Sequence, residues 1–465
     1  MKTGNLAISN HDKIHLNTAQ KLSVAIGSVS LLIYLLAILN VPFAMNATSL
    51  VISSLGLFAS IWIYSRALYK ELPPGIKNNG VWFKSISKRG GFAWGLGIII
   101  TGFYILLYWF PSYLGLATEG GVNSGIVALF DPLAMALKGS PASQWFMYGS
   151  LYTIAILSMG IKFIYKYRHS QYQIIRTISV MLFQLLFAYL IPEIMESLSI
   201  GGGGAYFSKD LKNFWPLNYY FFEPWHLDNM GSSNFGMFYL FWGILGFAIL
   251  TPILTYFLGK RWYCSWVCGC GGLAETAGDP FRHLSSKKLK TWKLERWLIH
   301  GVLVYIVLVT VIVLYGYLTG TGDVFGLSIY QYFSKPYGFL IGAAFSGVIG
   351  VGFYPVLGSR VWCRFGCPMA AYMGLFQRFK SRFRISTNGG QCISCGNCST
   401  YCEQGIDVRW YAQRGQNIVR SSCVGCGICS EVCPRGVLKL ENGPELARTK
   451  VTVPLVGNDS FGAPK

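Results

Sequence analysis

Near its end the chain reads Cys392-Ile-Ser-Cys395-Gly-Asn-Cys398-Ser-Thr-Tyr-Cys402 and, after twenty further residues, Cys423-Val-Gly-Cys426-Gly-Ile-Cys429-Ser-Glu-Val-Cys433-Pro434. Both runs have the spacing Cys-x2-Cys-x2-Cys-x3-Cys, so a short loop in each can aim three thiolates at one point while a fourth arrives from elsewhere. In tandem, this spacing is typical of the ligands of two [4Fe–4S] clusters in a bacterial ferredoxin. We therefore expect a small two-cluster domain here, which the rest of the chain serves.

The fourth cysteine of each run is expected to ligate the cluster of the other run. This crossing predicts two ligand sets: Cys392, Cys395, Cys398 and Cys433 for one cluster, and Cys423, Cys426, Cys429 and Cys402 for the other. Glu403 stands where a proline often follows the fourth cysteine, and we expect it to alter the loop slightly without removing a ligand.

Other uses of these cysteines fit the pattern less well. Zinc sites prefer two ligand pairs with a longer spacer, commonly with histidine, and no histidine follows His300. Disulfides are not expected, because the segment should face a reducing compartment. The nearby residues Arg409, Arg414, Arg420 and Arg435 could stabilise reduced clusters or simply solvate the surface.

The rest of the chain has the composition of a membrane protein. Of its 465 residues, 52% are hydrophobic and 12% are charged, and the mean hydropathy is +0.42. The net charge of +20 could indicate nucleic-acid binding, but the basic residues lie between hydrophobic stretches, which indicates membrane topology instead. All thirteen cysteines follow residue 263 in compact clusters, and none is left over for a structural disulfide.

Eight apolar stretches are long enough to cross a bilayer. They cover about 22–43, 48–69, 91–114, 145–165, 173–195, 235–258, 297–318 and 337–357. The three loops expected on the outer side, about 115–144, 196–234 and 319–336, hold only four of the 39 Lys and Arg residues. For a bacterial inner membrane, which is the expected location, the positive-inside rule predicts that both termini and the ferredoxin domain face the cytoplasm.

The sequence thus predicts an all-α polytopic membrane protein of about eight transmembrane helices with a small cytoplasmic α+β two-cluster ferredoxin domain. We divide the chain into a cytoplasmic tail (1–21), an N-terminal four-helix membrane region (22–170), a second four-helix membrane region (171–380), the ferredoxin domain (381–440) and a polar tail (441–465). The sequence gives no account of what the first four helices bind.

Two predicted membrane exits resemble each other. After the sixth stretch the chain reads Leu258-Gly-Lys-Arg261-Trp-Tyr-Cys264-Ser-Trp-Val-Cys268, and after the eighth it reads Leu357-Gly-Ser-Arg360-Val-Trp-Cys363-Arg-Phe-Gly-Cys367-Pro368. Leu, Gly, Arg and both cysteines match at a constant offset of 99 residues. This indicates a duplicated helical hairpin whose two Cys-x3-Cys pairs lie near a pseudo-twofold axis at the membrane edge.

Residues four apart share one face of a helix, so each pair could present two sulfurs together. The four thiolates of two facing pairs are enough for an additional iron or iron–sulfur centre; they are Cys264, Cys268, Cys363 and Cys367. A redox-active thiol set, a site that handles soft ions such as copper, and structural cysteines are the other interpretations. Cys270 is a fifth, unmatched thiol.

In combination, these motifs resemble those of the polyferredoxin membrane proteins of denitrification and related pathways. That family includes the quinol-dehydrogenase subunit of periplasmic nitrate reductase systems, the membrane flavoprotein regulator that supports nitrous oxide reductase, and a cytochrome oxidase assembly protein with copper-reducing activity. The resemblance covers roughly residues 170–440. The family's Cys-x3-Cys-Pro motif matches Cys363, Cys367 and Pro368 completely, whereas Gly269 replaces the proline after Cys268.

The resemblance implies electron transfer, with the eight ferredoxin cysteines as cluster ligands. No outer loop is long enough for the flavin domain that some family members carry, and no Cys-x-x-Cys-His motif for c-type haem occurs. His300 could ligate a b-type haem, but no partner histidine is expected at matching depth in another helix, so a membrane-edge side chain is the better interpretation.

We expect an inner-membrane electron-transfer protein that links the quinone pool to a respiratory or other redox partner, as a quinol-dehydrogenase-type subunit of an oxidoreductase system. Quinol gives up two electrons and a [4Fe–4S] cluster takes one, so two clusters suit the relay. The alternative from a different class is an assembly or metal-handling factor that reduces or delivers copper for a respiratory enzyme. A third interpretation is a membrane anchor that docks a catalytic partner.

The outer loops carry two further candidate features. The acidic residues Asp131, Glu193, Glu196, Glu223 and Asp228 could guide protons released by quinol oxidation or could be solvated loop residues. Glu193 is the strongest candidate, since it lies beside Pro192 at a helix end and ionisable groups at membrane depth tend to be functional. The aromatic segment 206–225 is expected to form an interfacial belt with an amphipathic helix or a re-entrant turn, or else a partner-docking surface.

Overall fold

The computed structural model describes residues 16–70, 90–118, 121–198, 210–388 and 391–443. Within these ranges, seven helices are long and apolar enough to cross a membrane: α1 (Thr18–Ile38), α2 (Ala47–Tyr69), α3 (Gly91–Trp109), α4 (Gln144–Lys166), α5 (Gln171–Ser197), α6 (Asn234–Leu258) and α7 (Leu289–Thr319). Large apolar side chains are exposed along their outward faces; Ile98 and Ile99 of α3 are 68% and 71% exposed. Such surfaces are expected to contact lipid, and the predicted helical multi-pass fold is confirmed.

Shorter elements connect and cap these helices. The shorter helices are Pro42–Ala44, Pro111–Leu114, Gly125–Leu129, Asp131–Lys138, Pro224–Gly231, Arg261–Cys264, Gly269–Glu275, Asp279–Leu284, Tyr354–Leu357, Val361–Phe365, Pro368–Lys380, Asn397–Thr400, Val408–Gln413 and Ile428–Glu431. Four strands form two antiparallel pairs: β1 (Asp323–Val324) with β2 (Leu327–Ser328), and β3 (Phe383–Thr387) with β4 (Leu438–Asn442). The predicted tails 1–21 and 441–465 lie largely outside the described residues.

The eighth predicted span is helical over 329–349, largely with π-helical hydrogen bonding, and it packs against α3. It is not among the seven helices, because its first turns carry Gln331, Lys335 and Pro336 and are too polar. The chain then bends at 350–353 before the short helix Tyr354–Leu357.

The ferredoxin domain lies against the end of the bundle at which α4 ends and α5 begins. Phe163 and Tyr167, at the end of α4, pack in one buried cluster with Ile385 of β3, with Ile418 between the two cysteine runs and with Ile428 of the second run. Ser170, which precedes α5, donates a hydrogen bond to Glu431 (Oγ to Oε1, 2.7 Å). The membrane bundle thus contributes part of the hydrophobic core of the small domain.

The first two helices pack closely through small polar residues. Ser23 of α1 and Ser60 of α2 each donate a hydroxyl hydrogen bond to the backbone carbonyl of the other, both at 2.8 Å. Small side chains of this kind let membrane helices approach closely. Residues of α3 pack in turn against the 329–349 helix, so the N-terminal region supports the part of the bundle that contains the cysteines.

The aromatic segment enters the bundle from its first described residue, Asp210. The indole of Trp242 in α6 donates to the carbonyl of Leu211 (2.7 Å), and Phe214 packs against the middle of α6 beside Gly246. Tyr263 donates its hydroxyl hydrogen bond to Asn213 (3.0 Å). Of the predicted alternatives, the re-entrant turn describes this part of the segment.

The acidic residues of the outer loops have local partners. Asp131 accepts hydrogen bonds from the side chain of Asn123 (2.7 Å) and the backbone of Ala142 (2.8 Å), which indicates that it fixes a loop. Glu193 lies 3.9 Å from the ammonium group of Lys138.

Candidate iron–sulfur centres

Each cysteine run folds as a loop that ends in one turn of helix. Gly396 and Gly427 follow the second cysteine of their runs with φ angles of +78° and +74°, and they cap the helices Asn397–Thr400 and Ile428–Glu431. A residue with a Cβ adopts this conformation only at a cost, so glycine lets the chain turn between the second and third cysteines. The two runs therefore share one local fold.

The structure brings the eight cysteines together in two small cavities. The outer cavity is lined by Cys392, Cys395, Cys398 and Cys433, and the inner cavity by Cys402, Cys423, Cys426 and Cys429. In each, three cysteines come from one run and the fourth from the other, which is the grouping that the spacing predicts. Apolar side chains line the remaining walls, such as Val437 and Leu438 in the outer cavity and Ile406 and Val424 in the inner one. Four thiols in apolar surroundings are a donor set that fits a [4Fe–4S] cluster.

The outer cavity lies nearer to solvent than the inner one. Cys395 is exposed, and two of the predicted basic residues, Arg409 and Arg435, line this cavity. At the inner cavity, burial raises the pKa of Cys423 to about 11 and that of Cys426 to about 12. These thiols would ionise at neutral pH only with a positive charge beside them, as metal binding provides.

Side chains from the membrane region hold the loop of the inner cavity. Its backbone carbonyls accept hydrogen bonds from Tyr172 (to Gly425, 2.8 Å), Gln173 (to Cys426, 2.9 Å), Ser265 (to Val424, 2.9 Å) and Gln377 (to Cys423, 2.7 Å). Because buried carbonyl groups are costly to leave unpaired, these contacts fix the domain in one position on the bundle. The inner cavity is therefore the one that faces the membrane.

The two Cys-x3-Cys copies have the same local fold. Gly259 and Gly358 both have positive φ (+68° and +98°), and each is followed by a short helix, Arg261–Cys264 or Val361–Phe365. That helix ends before the second cysteine of the motif. Cys268 and Cys367 have extended backbones and cap the next helices, Gly269–Glu275 and Pro368–Lys380. The expectation that each pair lies on one face of a continuous helix is wrong, because the helix breaks between the two cysteines.

The cysteines lie deeper than the predicted membrane edge. A Cβ placed on Gly269 would contact the side chains of Gln184, midway along α5, and Tyr152 of α4. In the second copy, Tyr372 donates its hydroxyl hydrogen bond to the carbonyl of Phe247, midway along α6 (2.9 Å). Both copies thus turn back into the bundle as half-helices, a feature of membrane proteins that bind ligands near the midplane.

All four paired cysteines belong to one buried cluster, with Trp262, Trp362 and Phe214 among its members. Arg360 connects the two copies, since its guanidinium donates to the carbonyl of Cys264 (3.3 Å) and contacts the Sγ atom of Cys363 (3.7 Å). Among the described residues, no three His, Cys, Asp or Glu side chains converge as closely as the ligands of a single metal ion.

A chain of buried ion pairs lies between these cysteines and the ferredoxin domain. In order of contact, its members are Lys166, Asp279, Arg282, Glu403, Arg360, Glu275 and Arg176. The Lys166–Asp279 pair is 2.6 Å long and the Arg360–Glu275 pair is 2.5 Å. Burial alone would raise the pKa of Asp279, but Lys166 and Arg282 lower it to about 2. Ionised groups are rarely buried unless they are paired in this way.

Glu403 is at the centre of this chain. It follows the inner-cavity residue Cys402 and is fully buried, with Arg360 at 2.9 Å and Arg282 at 3.3 Å. Burial opposes its ionisation, but the two guanidinium groups hold the pKa of its carboxyl below the usual range. From the sequence, Glu403 is expected only to alter one loop slightly. In the structure, Glu403 has a larger role, because it links the ferredoxin domain to both copies of the repeat.

Several of these contact residues escaped the sequence analysis, among them Glu275, Asp279 and Gln377. The signal that could have identified the two acids is an ionisable residue beside a membrane-embedded cysteine motif, which is costly without a partner. Gln377 leaves no such signal, because an isolated glutamine in a polar helix end is unremarkable in sequence.

Comparison with known proteins supports iron–sulfur binding by this chain. Residues 386–440 match a family described as "4Fe-4S dicluster domain", and a family described as "4Fe-4S binding domain" matches twice, at 239–291 and 339–386. The second family covers both Cys-x3-Cys copies, and its two matches begin 100 residues apart (239 and 339), close to the offset of the repeat.

One relative is the "Putative electron transport protein YccM" of Escherichia coli strain K12, which is 31% identical over 175 residues. The match spans 36% of this chain and 46% of that protein, so less than half of the relative is covered. No solved structure matches the chain.

Proposed function

We propose that this chain is a membrane iron–sulfur electron-transfer protein that exchanges electrons between the quinone pool and a redox partner. The observation that carries the proposal is the crossed grouping of eight cysteines in two cavities, the inner one fixed against a membrane bundle. The described relative, named as an electron transport protein, supports the same role. In a larger oxidoreductase system the chain would act as a quinol-dehydrogenase-type subunit.

The eight ferredoxin cysteines would hold two [4Fe–4S] clusters, one in each cavity. Each cluster, when bound, supplies a one-electron redox centre. The chain's own residues position and insulate them: apolar walls exclude water, and Arg409 and Arg435 favour the more negative reduced form in the outer cavity.

The paired cysteines of the two half-helices, Cys264, Cys268, Cys363 and Cys367, would hold an additional iron–sulfur centre. Their burial in one cluster and the match of both copies to a 4Fe-4S binding family support this assignment. Arg360 would stabilise thiolates there through its contact with Cys363 (3.7 Å).

In a bacterial inner membrane, the ferredoxin domain would face the cytoplasm together with both chain termini. The described end of the bundle beside that domain is rich in basic residues, such as Lys166, Arg168, Lys260 and Arg261, as the positive-inside rule requires of a cytoplasmic face. The division at 22–170, 171–380 and 381–440 would then separate a supporting region, a cysteine-bearing region and the electron-transfer domain.

The first test is the metal content of protein purified anaerobically in detergent, with low-temperature EPR of the reduced sample. Two cubane clusters require about eight irons and eight sulfides per chain. We expect a reproducible excess that is lost when Cys264 and Cys363 are changed to Ser and is retained in the matched Cys270→Ser variant. A content far below eight irons would overturn the two-cluster assignment, and eight irons in every variant would overturn the additional centre. Copper in place of the excess iron would favour a metal-handling role for these cysteines.

A further inference from the structure

A cavity of about 410 Å³ lies inside the bundle beside the half-helix cysteines. Its walls include Trp145, Tyr148 and Tyr152 of α4 and Gln184 of α5, and its floor includes Cys268 and Cys270. The volume falls within the range of about 300–1,000 Å³ that is usual for small-molecule sites. A ligand of small-molecule size would therefore lie directly against the candidate additional centre.

One residue of the cavity wall, Trp145, also reaches the outer surface of α4. Trp145 is 50% exposed, on the part of α4 near its first turn. This surface is one that we expect to contact lipid, so the cavity wall extends to the membrane. The ligand should accordingly be lipid-soluble.

Aromatic side chains make up much of the wall. Tyr219, Tyr337 and Trp362 line it together with the aromatic residues of α4. Flat rings of this kind favour a flat ring in the ligand, through stacked or edge-to-face contacts. An acyl chain alone would gain nothing specific from them.

One buried ion pair also lines the cavity. The ammonium group of Lys212 lies 2.5 Å from a carboxylate oxygen of Asp210, and the Lys212 side chain is only 7% exposed. Ionisable groups at membrane depth are costly and tend to be functional. The pair offers a donor and an acceptor at one place, so it can donate to a carbonyl oxygen and accept from a hydroxyl group.

We propose that this cavity binds the ring of a quinone or quinol, with the Asp210–Lys212 pair at its polar end. A quinone oxygen accepts a hydrogen bond from Lys212, and the corresponding quinol hydroxyl donates to Asp210, so one site suits both oxidation states. Oxidation of the quinol releases two electrons, which two one-electron iron–sulfur clusters of the chain would take one each, and two protons, which the Asp210 carboxylate would accept in turn and pass to water at its exposed edge (18% exposed). The inference rests on the proposed function, because it assigns the place at which the quinone pool meets this chain.

The test uses the purified, iron-loaded protein in detergent and decylubiquinone as the probe. Ligand binding raises the thermal unfolding temperature in a saturable way. We expect this rise for the natural chain and its loss in Ala188→Trp, which fills the cavity from α5. The matched control is Leu186→Trp on the same helix, whose site is 38% exposed and does not line the cavity. Lys212→Met should weaken binding at least tenfold, and equal iron content in all variants shows that each is folded.

Three results would overturn the site: no saturable rise in the natural chain, an equal rise in Ala188→Trp, or an equal rise with decanol, which has a tail of similar length but no ring. The proposed function is tested separately, by reoxidation of the dithionite-reduced protein with the same quinone. Saturable binding without reoxidation would support the quinone-binding cavity but contradict the proposed exchange of electrons with the quinone pool. If decylubiquinone reoxidised Ala188→Trp and Leu186→Trp at the same rate, the proposed function would be supported. The assignment of the quinone site to this cavity would be contradicted.

Discussion

Glu403 connects three parts of the molecule through one carboxylate. It directly follows the first cysteine run, Arg282 follows the first half-helix copy, and Arg360 lies within the second copy. The guanidinium of Arg360 also contacts Cys363, so one buried side chain, that of Arg360, links Glu403 to the half-helix cysteines. A charge at this position should therefore affect both the stability of the domain interface and the redox centres on either side of it.

We predict that Glu403→Gln lowers the free energy of unfolding by about 3–5 kcal/mol, because it leaves two buried guanidinium groups without a full countercharge. It should also raise the reduction potential of the inner cluster, since a negative charge beside it is removed. Thermal unfolding and an EPR-monitored redox titration measure the two effects.

The control for this variant is Glu441→Gln, because Glu441 of β4 is paired with Arg384 at 3.9 Å, away from both cavities. Unchanged potential and stability in Glu403→Gln would show that the ion-pair chain has no role in coupling the domains.

Sequence alone could place Glu403 beside a cluster ligand but could not find its partners. Arg282 and Arg360 lie far away in the chain. The local pattern of Arg282 does not distinguish it from other basic loop residues, and the repeat that contains Arg360 does not indicate which acid Arg360 pairs with. The eight ferredoxin cysteines are different, because their spacing along the chain itself determines which four can converge.

At the scale of elements, the repeat shows what sequence can and cannot predict. Identical residues at one offset identified the two copies, and the matching glycines, Gly259 and Gly358, prove to make the same turn with positive φ. The depth of the half-helices was not predictable, because elements as short as Arg261–Cys264 have no periodic pattern. They lie inside the bundle because tertiary packing against α4, α5 and α6 places them there.

Substitution of the second glycine tests the turn. At Gly358, with φ of +98°, an added Cβ would lie 2.5 Å from the hydroxyl oxygen of Ser285 and 2.8 Å from its backbone nitrogen. Gly358→Ala should thus combine the cost of a backbone conformation that is essentially restricted to glycine, about 1–3 kcal/mol, with a steric clash. We expect a lower unfolding temperature. We also expect the variant to lose the iron of the additional centre, so that only about eight iron atoms per chain remain.

Gly326→Ala is a matched control, because Gly326 also has positive φ (+75°) but an added Cβ would meet nothing within 4 Å. It should show the conformational cost alone and keep its iron. Equal effects of the two substitutions would mean that the close approach at Gly358 is unimportant.

The helix Pro368–Lys380 docks the ferredoxin domain through Gln377. Its amide accepts from the backbone nitrogen of Lys260 and donates to the carbonyls of Arg420 and Cys423, each at 2.7 Å. Gln377→Leu should cost at least about 1–3 kcal/mol, because buried groups lose their partners. The inner cluster should then be lost first when the protein is exposed to air, as followed by EPR.

Gln413→Leu is the control variant. The amide of Gln413 donates to the hydroxyl of Ser394 in the first cysteine run (2.6 Å), and this hydrogen bond is exposed. The order of cluster loss should be unchanged there. If Gln377→Leu lost its outer cluster first, the inner cavity would not depend on docking to the bundle.

At the scale of the whole molecule, the candidate sites form a series. The aromatic cavity contacts Cys268, the half-helix cysteines share a buried cluster with Val424 and Cys426 of the inner cavity, and the outer cavity ends at the exposed Cys395. The tandem runs implied two clusters but not their order relative to the membrane. That order depends on Tyr172, Gln173, Ser265 and Gln377, which all bind the second run and so turn the inner cavity towards the bundle.

The series predicts that electrons reach a soluble partner through the outer cavity. Cys395→Ser should remove the outer cluster, about four of the eight ferredoxin irons, and leave the inner one. Reduced protein should then still be reoxidised by decylubiquinone, whereas exchange with a large soluble acceptor such as a cytochrome should fall at least tenfold, because the inner cavity is covered by the bundle. Glu441→Gln, at a residue that lines neither cluster cavity nor the aromatic cavity, should keep both reactions. Rapid exchange of Cys395→Ser with the soluble acceptor would show that the inner cluster is itself the exit, and that the two cavities act side by side and not in sequence.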